Sequence, residues 1–245
     1  MAALVMTEVQ RPAGRRPDGL AAVVLSGGRG SRLGGVSKAA LDVAGVALLD
    51  GVLDALAAGG VPARCTVVVG DGPEPARDGL LVTREEPPFG GPLAALGAGL
   101  ALVPTGVPEV LVLACDLPAA RELVPLLTGV DPRHGGAFGT AVVDADGRTQ
   151  WLAARYRRAP LAAAIERARA DLGTLDGVSL RAALGPVPLA GIADETGASR
   201  DVDTPDDLAR ERRRAAGSGR AAGSGWPDPD DPDDPDDADD AGGPR

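Results

Sequence analysis

Apolar residues fall into two kinds of stretch along this chain. Leu20–Leu25, Leu80–Val82 and Val110–Ala114 are short, unbroken apolar runs, and Cys65–Val69 is apolar but for Thr66. That is the pattern of strands buried on both faces. Between them, apolar positions recur at helical spacing. Leu49, Val52, Leu53 and Leu56 predict a helix over Leu48–Ala58, closed by Gly59-Gly60. Leu93–Leu102 reads as a helix of small residues, and Ala119–Leu127 as another. Strand and helix alternating in this way predict an α/β fold with a doubly wound, mostly parallel sheet.

The second half is less regular. Gly136–Val143 reads as a strand, Asp144–Gly147 as a turn and Gln150–Tyr156 as the partner strand. Pro160–Arg169 is helical, Val178–Leu184 resembles a short helix and Val187–Ala190 a strand. A last helix starts with Thr204 as N-cap, Pro205 at the first position and acids in the first turn, and runs to about Ala216. Leu41–Val46 reads as a short extended stretch or turn.

These elements bound one domain over residues 19–216. Residues 1–18 read as a disordered leader without the continuous apolar core of a signal peptide. Residues 217–245 alternate Asp and Pro after Gly-Ser repeats and read as a disordered, solubilising tail. The formal net charge is −10, and the tail holds nine aspartates against two arginines, a share of −7. The rest is therefore nearly neutral, which excludes a basic nucleic-acid surface. No run is long enough for a transmembrane helix, so no membrane partner is expected. Cys65 and Cys115 both lie in apolar runs and read as buried free thiols, consistent with a cytoplasmic protein.

The chemistry concentrates after the first strand. Leu25, Ser26, Gly27 and Gly28 open a glycine-rich loop that carries Arg29 and Arg32 and closes on Lys38, the chain's only lysine. Backbone N–H groups exposed by glycine, together with cations, suit a triphosphate. Two familiar phosphate loops are excluded. The sixth position from Gly28 is Leu33 rather than glycine, and Val36 and Ser37 separate Gly35 from Lys38. A flexible glycine loop with incidental arginines is the plain alternative.

Asp116 follows the run Val110–Ala114, at the carboxyl end of a predicted central strand, where open α/β sheets bind ligands. Read from the residues alone, it is either a metal ligand or the N-cap of the next helix. His134, the only histidine, lies in a turn without a partner pattern, so no catalytic role is assigned to it. Trp151 and Tyr156 read as core or cleft-wall residues.

Leu25-Ser-Gly-Gly-Arg-Gly-Ser-Arg-Leu-Gly34 followed by Lys38 resembles the signature of the nucleotidyltransferases, and most closely that of the molybdenum cofactor guanylyltransferases (MobA-like). Gly90-Gly-Pro-Leu-Ala94, Cys115-Asp-Leu-Pro118 and Asp201-Val-Asp-Thr-Pro205 follow in the order that family shows. The resemblance implies a Rossmann-like nucleotidyltransferase fold of the GT-A-like type. It implies magnesium-dependent transfer of GMP from GTP to a molybdopterin-type cofactor, with transient contact to a cofactor-receiving enzyme.

Under that resemblance, Lys38 and Arg32 neutralise the leaving pyrophosphate. Asp116 binds magnesium and contacts the nucleotide. Leu25 to Gly28, Glu85 and Gly91 belong to the nucleotide site. Where the family has Asn-x-Asn, this chain has Asp201 and Asp203. A second carboxylate for the metal is expected from this segment, with Asp201 the better candidate; helix capping and dipole stabilisation is the plain alternative for Asp203. Sibling readings are a cytidylyltransferase for the same cofactor, or a guanylyltransferase for another small phosphate. A non-catalytic nucleotide-binding module that delivers cofactor is the alternative from another class.

Overall fold

A computed structural model describes residues 5–6, 19–27, 37–70, 77–104, 106–131 and 137–221, with side chains described only from 19 to 217. Its strands are β1 (Val5–Met6), β2 (Leu20–Leu25), β3 (Asp42–Val43), β4 (Val46–Ala47), β5 (Thr66–Val69), β6 (Leu81–Thr83), β7 (Glu109–Ala114), β8 (Gly139–Val143), β9 (Thr149–Arg157) and β10 (Leu189–Ala193). The helices are α1 (Leu48–Ala58), α2 (Pro92–Leu102), α3 (Ala120–Thr128), α4 (Arg158–Leu172), α5 (Leu180–Leu184) and α6 (Pro205–Ala221).

Eight strands form one sheet in the order β1-β10-β8-β9-β7-β2-β5-β6, and β3 and β4 form a separate hairpin. Every neighbouring pair in the large sheet is parallel except those of β9, which runs against both β7 and β8. The expected doubly wound, mostly parallel α/β sheet is what forms.

Strand β2 explains why its run is unbroken. Ala21, Val23 and Leu25 face a core shared with α2, α4 and α5, while Leu20, Ala22 and Val24 face one shared with α1 and α3. Strand β7 divides in the same way, with Val110 and Val112 on one side and Leu111 and Leu113 on the other. Both faces are covered, so the interior of each strand is apolar and the one charged residue, Glu109, stands at the start of β7.

Helix α2 lies very close to this sheet. A Cβ on Gly99 would stand 2.6 Å from Val23 Cγ1 and 2.7 Å from Val69 Cγ2. Helix α3 is held from beneath by Arg155 of β9. Its guanidinium pairs with Glu109 and donates to the carbonyls of Leu127, Thr128 and Val130 at the helix C-terminus, at 3.4, 3.3 and 3.1 Å. This charge, 9 % exposed, is thereby paired and hydrogen-bonded rather than bare.

Two boundaries differ from the sequence expectation. Helix α6 continues to Ala221 instead of stopping near Ala216. Within the stretch read as a leader, Val5 and Met6 pair with Ala190 and Gly191 of β10. The remainder of that leader, the tail beyond Ala221 and His134 lie outside the described residues.

A helix-interior Gly→Ala change ordinarily gains about 1 kcal/mol. At Gly99 the sign should reverse, because the methyl meets two buried valines: Gly99→Ala should lose about 1–3 kcal/mol, read as a lower denaturant midpoint at unchanged m-value.

Candidate active site

The carboxyl ends of the parallel strands meet at a cavity of about 620 Å³. Strand β2 delivers Leu25 and Gly27, strand β7 delivers Cys115 and Asp116, and the chain leaving β10 delivers Ser199 and Asp201. Glu85, just beyond β6, and Gly91-Pro92, at the start of α2, complete this side. Gly91 has φ +88°, which suits glycine, and Pro92 occupies the first helical turn as expected. Nearby, a Cβ on Gly70 would stand 2.7 Å from Gly27 N, so glycine there lets the end of β5 lie against the loop.

Reversal of β9 supplies the opposite wall. Because it runs against β7, its first residues stand beside the end of β7, with Ala153 opposite Leu113. Its pairing with β8 skips from Ala141–Ala154 to Val142–Gln150, so Trp151, Leu152 and Ala153 bulge out of that ladder. Thr149 through Ala153 all line the cavity. Tyr156 is fully buried and donates its hydroxyl to the Trp151 carbonyl at 2.9 Å, which fixes the bulge from behind. Sequence reasoning placed Trp151 in core or cleft wall but gave no reason for Gln150 or Leu152 to face a ligand.

At the centre of the cavity edge, Lys38 Nζ donates to Asp116 Oδ2 at 2.7 Å and to Asp203 Oδ1 in a shorter contact. Carboxylate oxygens of Asp116, Asp201 and Asp203 come within 4.8 Å of one another. Burial alone would lower the Lys38 pKa, but its hydrogen bonds to Asp116 and Asp203 outweigh that and raise it, so the ammonium stays charged. Burial, then the charges of Asp203 and Asp116, push the Asp201 carboxyl above the usual aspartate range. Hard oxygen donors gathered in this way can hold a divalent cation.

The capping roles that the sequence suggested for two aspartates are not filled by them. Helix α3 starts after Ala119 without a side-chain cap, so Asp116 does not cap it. Asp203, read as a capping acid, does not cap α6. Thr204 accepts from Asp207 N at 3.2 Å, and Asp207 accepts in return from Thr204 N at 2.9 Å, which makes a capping box. Asp203 is left to face Lys38 and Asp116, so the cluster has one more carboxylate than the pair Asp116 and Asp201.

Other expected residues have mixed outcomes. The Leu25 carbonyl and the Ser26 N–H are committed to neighbouring strands, accepting from Cys115 N at 3.0 Å and donating to Val69 O at 2.7 Å. What this stretch offers the cavity is Leu25, Gly27 and their surroundings; the Ser26 hydroxyl is buried without a hydrogen-bond partner among the described residues. Gly28 and Arg32 lie outside the described residues. Glu85 is 7 % exposed, and among the described residues no hydrogen bond or ion pair reaches its carboxylate. Burial, then the Asp116 charge, pushes the Cys115 thiol up to about 12, so it rests protonated.

Phe89, at φ +63° and 51 % exposed on the cavity rim, was not singled out by the sequence. A left-handed aromatic residue is unusual, and nothing in its neighbours announces it.

If Lys38 and a divalent ion compete for the same oxygens, Lys38→Met should tighten Mn²⁺ binding to the nucleotide-free protein. The expected gain is about tenfold, equivalent to ~1.4 kcal/mol. Free Mn²⁺ measured by electron paramagnetic resonance reads it directly. Unchanged or weaker binding would show that the ammonium and the ion occupy separate places.

Comparison with known proteins gives concordant results. Residues 22–184 match the family model described as MobA-like NTP transferase domain. The chain is 36 % identical over 180 residues to a molybdenum cofactor guanylyltransferase of Acidiphilium cryptum, covering 73 % of this chain and 81 % of that protein. Among solved structures, molybdopterin-guanine dinucleotide biosynthesis protein A from Archaeoglobus fulgidus superposes with a TM-score of 0.55 at 20 % identity, over 80 % of this chain and 98 % of that one. A Mycobacterium tuberculosis H37Rv protein solved in complex with manganese superposes with a TM-score of 0.53 at 19 % identity, over 79 % and 98 %. At these identities the superpositions speak for the fold.

Proposed function

The chain belongs to the MobA-like NTP transferase family and is a nucleotidyltransferase; from that premise we propose that it transfers GMP from GTP to a molybdopterin-type cofactor and releases pyrophosphate. The observation that carries this reading is the meeting of Lys38 with Asp116 and Asp203, beside Asp201, at the mouth of a cavity walled on one side by Glu85 and Gly91 and on the other by Trp151. A cavity of about 620 Å³ lies in the range of small-molecule sites.

Asp116, Asp201 and Asp203 fit a magnesium ion by donor type, and these are the residues that would hold it. When bound, the ion supplies charge that shields the α-phosphate and the departing pyrophosphate. The protein's own part is position and charge. Lys38, released from Asp116 and Asp203, turns to the phosphates. Glu85 accepts from guanine N1–H and N2–H. The bulged Trp151 segment and Arg181, which also lines the cavity, face the acceptor side. A terminal phosphate oxygen of the acceptor attacks the α-phosphorus, the α–β bridging bond breaks, and the electron pair leaves with pyrophosphate.

No helix among the described residues is long and apolar enough to cross a membrane. We place the reaction in the cytoplasm, with the product passed to a cofactor-receiving enzyme.

The test is pyrophosphate release with each nucleoside triphosphate at matched concentration, with magnesium and the molybdopterin acceptor. The specificity constant for GTP should exceed that for CTP by roughly 10⁴-fold, because a base lacking the paired donors leaves buried acceptors unmatched. A higher value for CTP would move the chain to the cytidylyltransferase reading, and no release with any triphosphate would sink the proposal.

Asp116→Asn should keep its melting temperature and lose turnover by about 10²-fold or more, since the side chain keeps its shape and loses its charge. A fully active Asp116→Asn protein would refute the assignment. Lys38→Arg should restore little of what Lys38→Ala loses, because a planar fork cannot replace a compact ammonium at this spacing.

A further inference from the structure

The Asp201–Asp203 segment has no regular secondary structure, yet its carboxylates, though open to solvent, are held within 4.8 Å of that of Asp116. Three features hold it. Ala198 and Val202 are fully buried, and Val202 N donates to the Asp116 carbonyl at 3.0 Å. The third is Asp194, the first residue after β10 and 7 % exposed. Its own N–H continues the sheet by donating to Val143 O at 2.9 Å, so its position is set by the strand.

The Asp194 carboxylate then gathers the chain that follows. Oδ1 accepts from Ala198 N at 2.9 Å and from Thr196 N and Oγ1 at 3.3 and 3.4 Å. Oδ2 accepts from Ser199 N at 2.8 Å and Ser199 Oγ at 2.6 Å. Ser199 is thus clamped by both backbone and side chain, two residues before Asp201, and both line the cavity. From Ser199 onward the chain alternates: Ser199 and Asp201 face the cavity and Asp203 faces Lys38, while Arg200 is exposed and Val202 buried. Slippage by one residue would exchange Asp201 for Arg200 and put a cation among the carboxylates. The phase of this short segment therefore decides whether the cluster can bind a cation at all.

We propose that Asp194 is a positioning residue of the metal site: its carboxylate sets the phase of the 199–203 segment, and so the placement of Asp201 and Asp203. Asp194 does not line the cavity and acts through the residues it clamps. An uncharged amide at this position serves poorly, because both oxygens accept backbone N–H groups and an amide nitrogen in place of either would face an N–H with nothing to accept from it. The donors converging on the two oxygens also explain why this carboxyl is held below the usual aspartate range: burial alone would raise it, and the hydrogen bonds, those from Ser199 and Ala198 foremost, outweigh that. The proposal rests on the reading of Asp116, Asp201 and Asp203 as a divalent-cation site.

The experiment measures Mn²⁺ affinity by electron paramagnetic resonance for wild type, Asp194→Asn and Ser199→Ala, with melting temperature recorded in parallel. Wild type should bind Mn²⁺, and Asp194→Asn should bind it at least about tenfold more weakly, as loss of an outer-shell partner does at other metal sites. Steady-state kinetics should show the loss relieved by raised metal concentration, which a general loss of folded protein would not allow. Full Mn²⁺ affinity in Asp194→Asn, with only a lowered melting temperature, would overturn the proposal and leave the cation-site reading standing. Absence of Mn²⁺ binding in wild type would overturn the cation-site reading and this proposal with it. Should Asp194→Asn fail to fold, Ser199→Ala decides alone. It removes one of the five hydrogen bonds, so weaker Mn²⁺ binding supports the proposal and unchanged binding refutes it.

Discussion

Three carboxylates whose oxygens approach within 4.8 Å repel one another, and a cation beside them relieves that repulsion. Lys38 is that cation here, reaching Asp116 across 78 residues of chain and Asp203 across 165. The ion pair therefore does more than join two side chains. It draws the segment after the glycine loop and the segment before α6 onto the end of β7. Arg212 of α6 reinforces the same junction by donating to the Asp42 carbonyl at 3.0 Å. An ammonium is well suited to such a place, being a compact charge on a flexible stem that can leave when a stronger cation or a phosphate arrives.

Around that junction, the sheet divides the labour between its two ends. Parallel strands β2 and β7 are buried on both faces and offer only their carboxyl ends to a ligand. The reversed strand β9 solves a different problem. Inserted between β7 and β8, it begins where its neighbours finish, so its first residues become a wall of the cavity. The bulge at Trp151 widens that wall into a surface, and the buried Tyr156 hydroxyl holds it in shape. The two walls of the cavity thus come from chain segments of opposite direction.

Much of this was readable before any coordinates. The unbroken runs at Leu20–Leu25 and Val110–Ala114 report strands covered on both faces, and covering both faces requires helices on each side, hence a doubly wound sheet. Asp116 was legible because a charged residue directly after such a run marks the strand's ligand-binding end. Lys38 stood out as the one lysine in an arginine-rich chain, after a glycine loop. Thr204-Pro205 marked the start of α6 by capping chemistry that is entirely local.

What the sequence could not decide depends on contacts between residues far apart. Asp203 looked like a cap because it precedes a helix, and only the fold shows Asp207 completing the capping box, leaving Asp203 for Lys38. The place of β9 between β7 and β8 is invisible in its own residues, since alternation predicts a strand but not its neighbours. The bulge that turns Trp151 toward the cavity arises from a register shift between two strands, which neither strand encodes alone. Local sequence thus determined the elements, their burial and the chemical types at their ends. Tertiary structure decided which of those charges would meet, because ion pairing and register act through space and leave no period in the chain.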